Sequence, residues 1–198
     1  AHKDKYKSCD LKRAPKEEVI PTLFNFVNES RKQYKRLMRK QHSTMTKEQI
    51  DVLLVSGDVF DFSNPSAATV SMFHSFLSQA RFRLPDLQII VTAGNHDSAA
   101  RLESIIPLLD HTRIRIVGLI EKDENGNCNY DKLAIPLNDR NGNCKAWCLA
   151  IPFLRIGDYP VPDGASNPYA EGVAAFYQEA YEFIRKKKSS DQAVIAMG

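Results

Sequence analysis

The alternation of apolar and polar residues changes rhythm twice along this chain. Residues 1–15 are polar and Lys-rich and read as an arm. From residue 15 to about 41, Val19, Ile20, Leu23, Phe24, Val27, Tyr34, Leu37 and Met38 recur at helical spacing and predict an amphipathic helix. Lys16-Glu17-Glu18 places acids in its first turn, where the macrodipole favours them. After a polar connection over 42–49 come two unbroken apolar runs, Val52-Leu53-Leu54-Val55 and Ile89-Ile90-Val91-Thr92. An unbroken run of this kind suits a strand covered on both faces. Between them Val70, Phe73, Phe76, Leu77 and Ala80 predict a helix to about Arg83, capped by Ser63 or Asn64 with Pro65 near its first turn. Strand, helix and strand form a β-α-β unit with parallel strands. Ser98 is placed to cap a further short helix through Ile105 and Ile106 to about Asp110.

Beyond residue 113 the rhythm becomes two-fold. Ile114, Ile116 and Ile120 alternate, as do Leu133, Ile135 and Leu137, and then Trp147, Leu149 and Ile151. Asn125-Gly126 and Asn141-Gly142 fall between these runs, and Asn-Gly is a strong hairpin signal. Three antiparallel strands in a meander are therefore expected. A loop with Pro and Gly follows to Pro168 and either lines a functional site or simply connects. A helix over 169–187 buries Val173, Phe176, Tyr177, Ala180, Tyr181 and Ile184, and Arg185-Lys186-Lys187-Lys188 closes it. A last short strand from Gln192 to Met197 runs into Gly198. The pattern predicts an α/β fold whose later strands form a second or a mixed sheet, with residues 1–198 as a single domain.

Composition narrows the function only slightly. Of 198 residues, 43% are hydrophobic and 26% charged, which argues against disorder. The net charge of +3 permits a polyanionic partner without demanding one. The basic face of Arg31, Lys32, Lys35, Arg36, Arg39 and Lys40 either meets phosphates or is a solvated helix end. No apolar run is long enough to span a bilayer and no signal peptide opens the chain, so a cytoplasmic protein is expected. Cys9, Cys128, Cys144 and Cys148 lack metal or redox spacing and read as reduced thiols. His2 reads as solvated, and His74 as packed or solvated.

The chemistry gathers at two strand ends. Gly57-Asp58 follows the first apolar run and Gly94-Asn95-His96-Asp97 the second. Ligands of parallel sheets sit beyond the carboxyl ends of the strands. Asp58, Asn95, His96 and Asp97 thus bring carboxylates, an amide oxygen and an imidazole to one edge, a donor set suited to a hard or borderline divalent metal. The plainer reading makes Asp58 a helix cap and the trio a polar turn. Two such motifs at equivalent ends of consecutive strands favour the functional reading. Arg101, one turn into the following helix, either reaches an anion or forms a surface salt bridge.

The pair of motifs resembles the calcineurin-like metallophosphoesterases. Gly57-Asp58-Val59-Phe60-Asp61, Ala93-Gly94-Asn95-His96-Asp97-Ser98 with Arg101-Leu102, and Ile151-Pro152-Phe153-Leu154-Arg155 are closest to the SbcD-type nuclease branch, over about Glu17 to Gly198. The resemblance implies a two-sheet sandwich flanked by helices. It also implies two divalent ions, usually manganese in the nuclease branch, with Asp58 bridging them and Asn95 binding the second. His96 would contact the scissile phosphate or protonate the leaving oxygen, and Asp97 would orient the His96 ring. DNA would be the substrate, an SbcC-type ATPase the partner, and a homodimer the assembly. The family's opening Asp-x-His strand and its later His motifs are absent here, which leaves two metal ligands and points to part of a longer protein. A His is expected after Gly198 in the parent chain. The alternatives are a phosphomonoesterase or cyclic-nucleotide phosphodiesterase of the same superfamily, and a non-catalytic nucleic-acid-binding module.

Overall fold

The structure, a computed structural model, describes residues 50–198. The helix expected over 15–41, its basic face, His2 and Cys9 lie outside the described residues. Two three-stranded sheets make up the described part. The first has the order β1 (Val52–Ser56), β2 (Gln88–Thr92), β3 (Ile114–Val117) and is parallel throughout. The second has the order β4 (Ala134–Asn138), β5 (Cys144–Ala150), β6 (Ala193–Met197), with β4 antiparallel and β6 parallel to β5.

All five residues of β2 are buried, as an unbroken apolar run requires when both faces of a strand are covered. On one face Ile90 joins Val117 of β3 in a core cluster with Ile135, Leu137, Cys148, Leu149 and Ile151 from the second sheet and its margin. Gln88, on that same face, locks the two sheets together. Its Nε2 donates to the Pro136 carbonyl at 2.8 Å, and its Oε1 accepts from Asn138 N at 3.0 Å. A buried amide satisfied at both ends fixes how the sheets face each other, because leaving either end unpaired would cost about 1–3 kcal/mol.

The β-α-β unit is formed as expected. Its helix, α1 (Ala67–Arg83), buries Phe73, Phe76, Leu77 and Ala80 and leaves His74 exposed. The start differs from expectation: the cap is Ser66, whose Oγ accepts from Thr69 N at 3.2 Å, and Pro65 stands just outside. The helix expected over 98–110 is also divided. α2 (Ala99–Glu103) stops early, and a single 3-10 turn, Ile106–Leu108, follows with Pro107 inside it. Proline lacks the N–H that would extend an α-helix and crowds the preceding turn.

The expected three-strand meander is corrected by the structure. Ile114–Val117 pairs with β2 in parallel instead of opening a meander, because the 99–108 segment supplies the crossover that a parallel pair needs. Alternation alone reports burial, not the direction of pairing. Asn125-Gly126 closes only a small turn with one bridge, Lys122 to Cys128. Asn141-Gly142 is the true hairpin, between β4 and β5, with Gly142 at φ +84. α3 (Tyr130–Leu133) is a single turn leading into β4.

α4 (Pro168–Arg185) lies over the second sheet through Phe176, Ala180 and Ile184, all within the core cluster. Its N-cap is Asn167, whose side chain accepts from Ala170 N at 3.1 Å. Tyr181, expected in the buried stripe, is 39% exposed, while Gly172 is buried instead. A Cβ at Gly172 would come within 2.4 Å of the Tyr159 ring, so the helix packs on the 151–167 loop at that point.

Candidate metallophosphoesterase site

The ends of β1 and β2 touch through their glycines. Gly57 has φ +72, and a Cβ there would lie 2.9 Å from the Gly94 Cα. A Cβ on Gly94 would lie 2.2 Å from Asp58 Oδ1 and 2.3 Å from Asp58 N. Real Cβ atoms do not approach backbone so closely, so both positions require glycine. This backbone approach brings Asp58 against the Asn95–Asp97 loop.

Asp58 itself has φ +46, a left-handed conformation unusual for a residue with a side chain. Such strain persists where the surroundings hold it, and functional sites are where it collects. Its carboxylate accepts from His96 N at 3.2 Å, and its Oδ2 stands 4.0 Å from His96 Nδ1. Both side chains are about half exposed, at 51% and 54%. Asn95 is exposed beside them. The structure therefore brings Asp58, Asn95 and His96 to one accessible edge, where the sequence put them.

Asp97 occupies a different environment. It is 2% exposed, and its carboxylate accepts three backbone N–H groups: Gly94 at 2.8 Å, Val59 at 3.1 Å and Phe60 at 2.9 Å. The carboxylate thus ties the loop after β1 to the loop after β2. Among the described residues its hydrogen bonds go to these three backbone groups and none to the His96 ring. The staple was not foreseeable from the residue types. The Asp-Val-Phe spacing after Gly57 carries it through backbone atoms alone.

Among the described residues Arg101 neither reaches Asp58 nor forms a salt bridge. Its Nη2 donates to Asn64 Oδ1 at 3.0 Å, and it lines an open cleft of about 760 Å³ with Pro65, Val70, Ser71 and His74. Ser98 holds the cap position of α2 without a side-chain cap bond, and a helix of five residues adds little dipole to the site. Two further segments arrive at the same edge. Ser56 Oγ donates to the Gly198 carbonyl at 3.3 Å, which brings the ends of β1 and β6 together. Phe153 N donates to the Ala93 carbonyl at 2.8 Å, which brings the loop after β5 alongside the glycine of the second motif. The apolar run Ile151 to Leu154 with Pro152 inside it was the signal for that anchoring; its destination was not readable.

The donor types suit a divalent cation, since Asp58 and Asn95 offer hard oxygens and His96 a borderline nitrogen. Their number does not complete a site: among the described residues no three His, Cys, Asp or Glu side chains gather as a metal centre. These donors alone, among the described residues, do not make up a complete metal site.

The class of the protein follows from this edge and from comparison. A family model for the calcineurin-like phosphoesterases matches residues 24–198, and the chain belongs to that family. Members of the family use divalent metal ions. Within it the chain resembles SbcD-type nuclease subunits. It is 42% identical over 113 residues to the SbcD component of the SbcCD nuclease of Rhodobacter capsulatus, covering 57% of this chain and 28% of that protein. The corresponding Bacillus subtilis protein is 39% identical over 71 residues, 36% of this chain and 18% of that one. The Escherichia coli K12 protein is 29% identical over 98 residues, 48% of this chain and 24% of that one. The matched regions thus span less than a third of these relatives' lengths. No helix among the described residues is long and apolar enough to cross a membrane.

Proposed function

We infer that the parent protein is a metal-dependent nuclease that hydrolyses phosphodiester bonds of DNA. In this reading it is a cytoplasmic homodimer that works with an SbcC-type ATPase in DNA repair. The observation that carries the reading is the exposed, strained Asp58 held against Asn95 and His96, in a chain similar to nuclease subunits. Asp58 and Asn95 would be two of the ligands for a pair of divalent ions, manganese being the expected metal. Bound ions of this kind supply an activated water and neutralise charge at phosphorus.

The chain's own residues contribute the rest. Asp58 projects into solvent from a backbone that two glycines hold rigid, so its oxygens meet an incoming ion with little reorganisation. His96 presents a ring that is free to bond a phosphate oxygen or to give a proton to the departing oxygen. Asp97 keeps both loops in register from below. Arg101, with a neutral amide as its partner, keeps its full charge for a phosphate.

The test uses full-length protein with manganese, linear duplex DNA and a simple phosphomonoester, with His96→Ala in parallel. Manganese-dependent DNA degradation that His96→Ala reduces by about a hundredfold or more supports the reading. Monoester turnover without DNA cleavage moves the assignment to a phosphatase. DNA binding with no hydrolysis of either substrate moves it to a binding module.

A further inference from the structure

A cation reaches the site from outside both motifs. The segment that carries it is fixed at several points. Ile151 N donates to the Met197 carbonyl at 3.1 Å, Phe153 N to the Ala93 carbonyl at 2.8 Å, and Arg155 N to the Asp158 carboxylate at 2.7 Å. Ile151, Pro152 and Leu154 are buried, while Arg155 itself is exposed. The backbone under Arg155 is therefore held by core packing, and only its side chain is free to answer a ligand.

That side chain leans over the second motif. Nη2 lies 3.5 Å from the Asp97 carbonyl, at the long limit of a hydrogen bond, and the guanidinium carbon sits 5.7 Å from the centre of the Phe153 ring. Among the described residues no carboxylate forms an ion pair with it. The nearby Asp158 spends an oxygen on the backbone N–H of Arg155 instead. A guanidinium has five donors and stays charged at any working pH. Here one donor makes a weak bond and the charge has no counter-ion among the described residues. A rigidly based arginine with no counter-ion among the described residues, set against the Asn95–Asp97 loop, is arranged to hold an anion next to whatever sits at Asp58 and His96.

A polynucleotide carries further phosphates beside the scissile one, whereas a phosphomonoester carries none. Resting on the phosphodiesterase reading above, we propose that Arg155 holds a phosphate neighbouring the scissile one and so turns the site toward a nucleic-acid strand and away from small phosphoesters. Arg101 is a separate cation, bonded to Asn64 along the α1 cleft.

The experiment compares full-length wild type, Arg155→Gln and Arg155→Lys on a short single-stranded oligonucleotide and on a nitrophenyl phosphodiester. Loss of a charge-assisted bond predicts that Arg155→Gln lowers the ratio of oligonucleotide to small-diester kcat/KM about tenfold or more. Arg155→Lys is expected to recover part of that ratio. Oligonucleotide binding, followed by fluorescence anisotropy with metal left out, provides a second readout. The slope of log affinity against log salt should shrink by about 0.7 in Arg155→Gln, the share of one phosphate on a single strand. An equal loss on both substrates, or an unchanged salt slope, would overturn the proposal. If the wild type hydrolyses neither substrate, the nuclease reading fails by itself, and the salt slope still decides for or against Arg155.

Discussion

Asp58 and Asp97 follow consecutive strands of the same sheet and lie within one small volume, yet their environments are opposite. Asp58 is half exposed, takes a left-handed backbone and accepts one backbone N–H. Asp97 is buried and accepts three. The first carboxylate keeps lone pairs available to a ligand from solvent. The second has turned its capacity inward and holds two loops together. A site of this kind needs both: one group left under-used, and another fully used to keep the first in position.

The largest effect is expected from removing the buried member. Asp97→Ala would strand three N–H groups beneath the loops and should cost about 3 kcal/mol or more. It would appear as a lower urea midpoint with an unchanged slope. Next in size is Gly94→Ala, whose Cβ would meet Asp58 N at 2.3 Å. Because that neighbour is backbone, overpacking should cost about 1–3 kcal/mol and shift Asp58, lowering both the thermal midpoint and manganese affinity. The exposed member should behave in the opposite way. Asp58→Gly relieves the strain at φ +46, so stability stays level or rises by up to about 1 kcal/mol while metal-dependent activity is lost. A large fall in stability there would erase the contrast between the two carboxylates.

The smallest effect sits away from the site, in the core. Burial pushes the Cys148 thiol up to about 12 from an ordinary value of 9.0. Since the unfolded thiol ionises first, this group favours the folded state below pH 9.0 and gives up that contribution as pH climbs toward 12. In folded protein at mild pH, Cys148 should be labelled by a thiol reagent more slowly than the less buried Cys128 and Cys144.

What the sequence made legible was whatever depends on local pattern. The runs ending at Ser56 and Thr92 announced parallel strands, though only β2 is fully buried while β1 is half-buried among the described residues, and their glycines announced the close approach that brings Asp58 to Asn95 and His96. The stripe Phe73, Phe76, Leu77 and Ala80 announced α1 and its buried face. Pairing partners were less legible. Ile114 and Ile116 alternate as they would in a meander, but the crossover through residues 99–108 sends them to the first sheet. Roles set by backbone hydrogen bonds were not legible at all: nothing in the letters Asp97, Val59 and Phe60 distinguishes a staple from a ring-orienting carboxylate. Arg155 stood in the Ile151–Arg155 run that carries the resemblance, but its place beside Asp97 was not legible, because it depends on Phe153 N finding the Ala93 carbonyl 60 residues back.

If Asp58 is kept for a ligand while Asp97 holds the scaffold, their amide variants should fail in different ways. Manganese titration by calorimetry on full-length protein, wild type beside Asp58→Asn and Asp97→Asn, with urea midpoints for all three, reads both failures at once. Asp58→Asn is expected to weaken manganese binding about tenfold or more with its midpoint unchanged, while Asp97→Asn lowers the midpoint. Manganese binding by Asp58→Asn at wild-type affinity, or a midpoint that falls as far as that of Asp97→Asn, would contradict this division of labour.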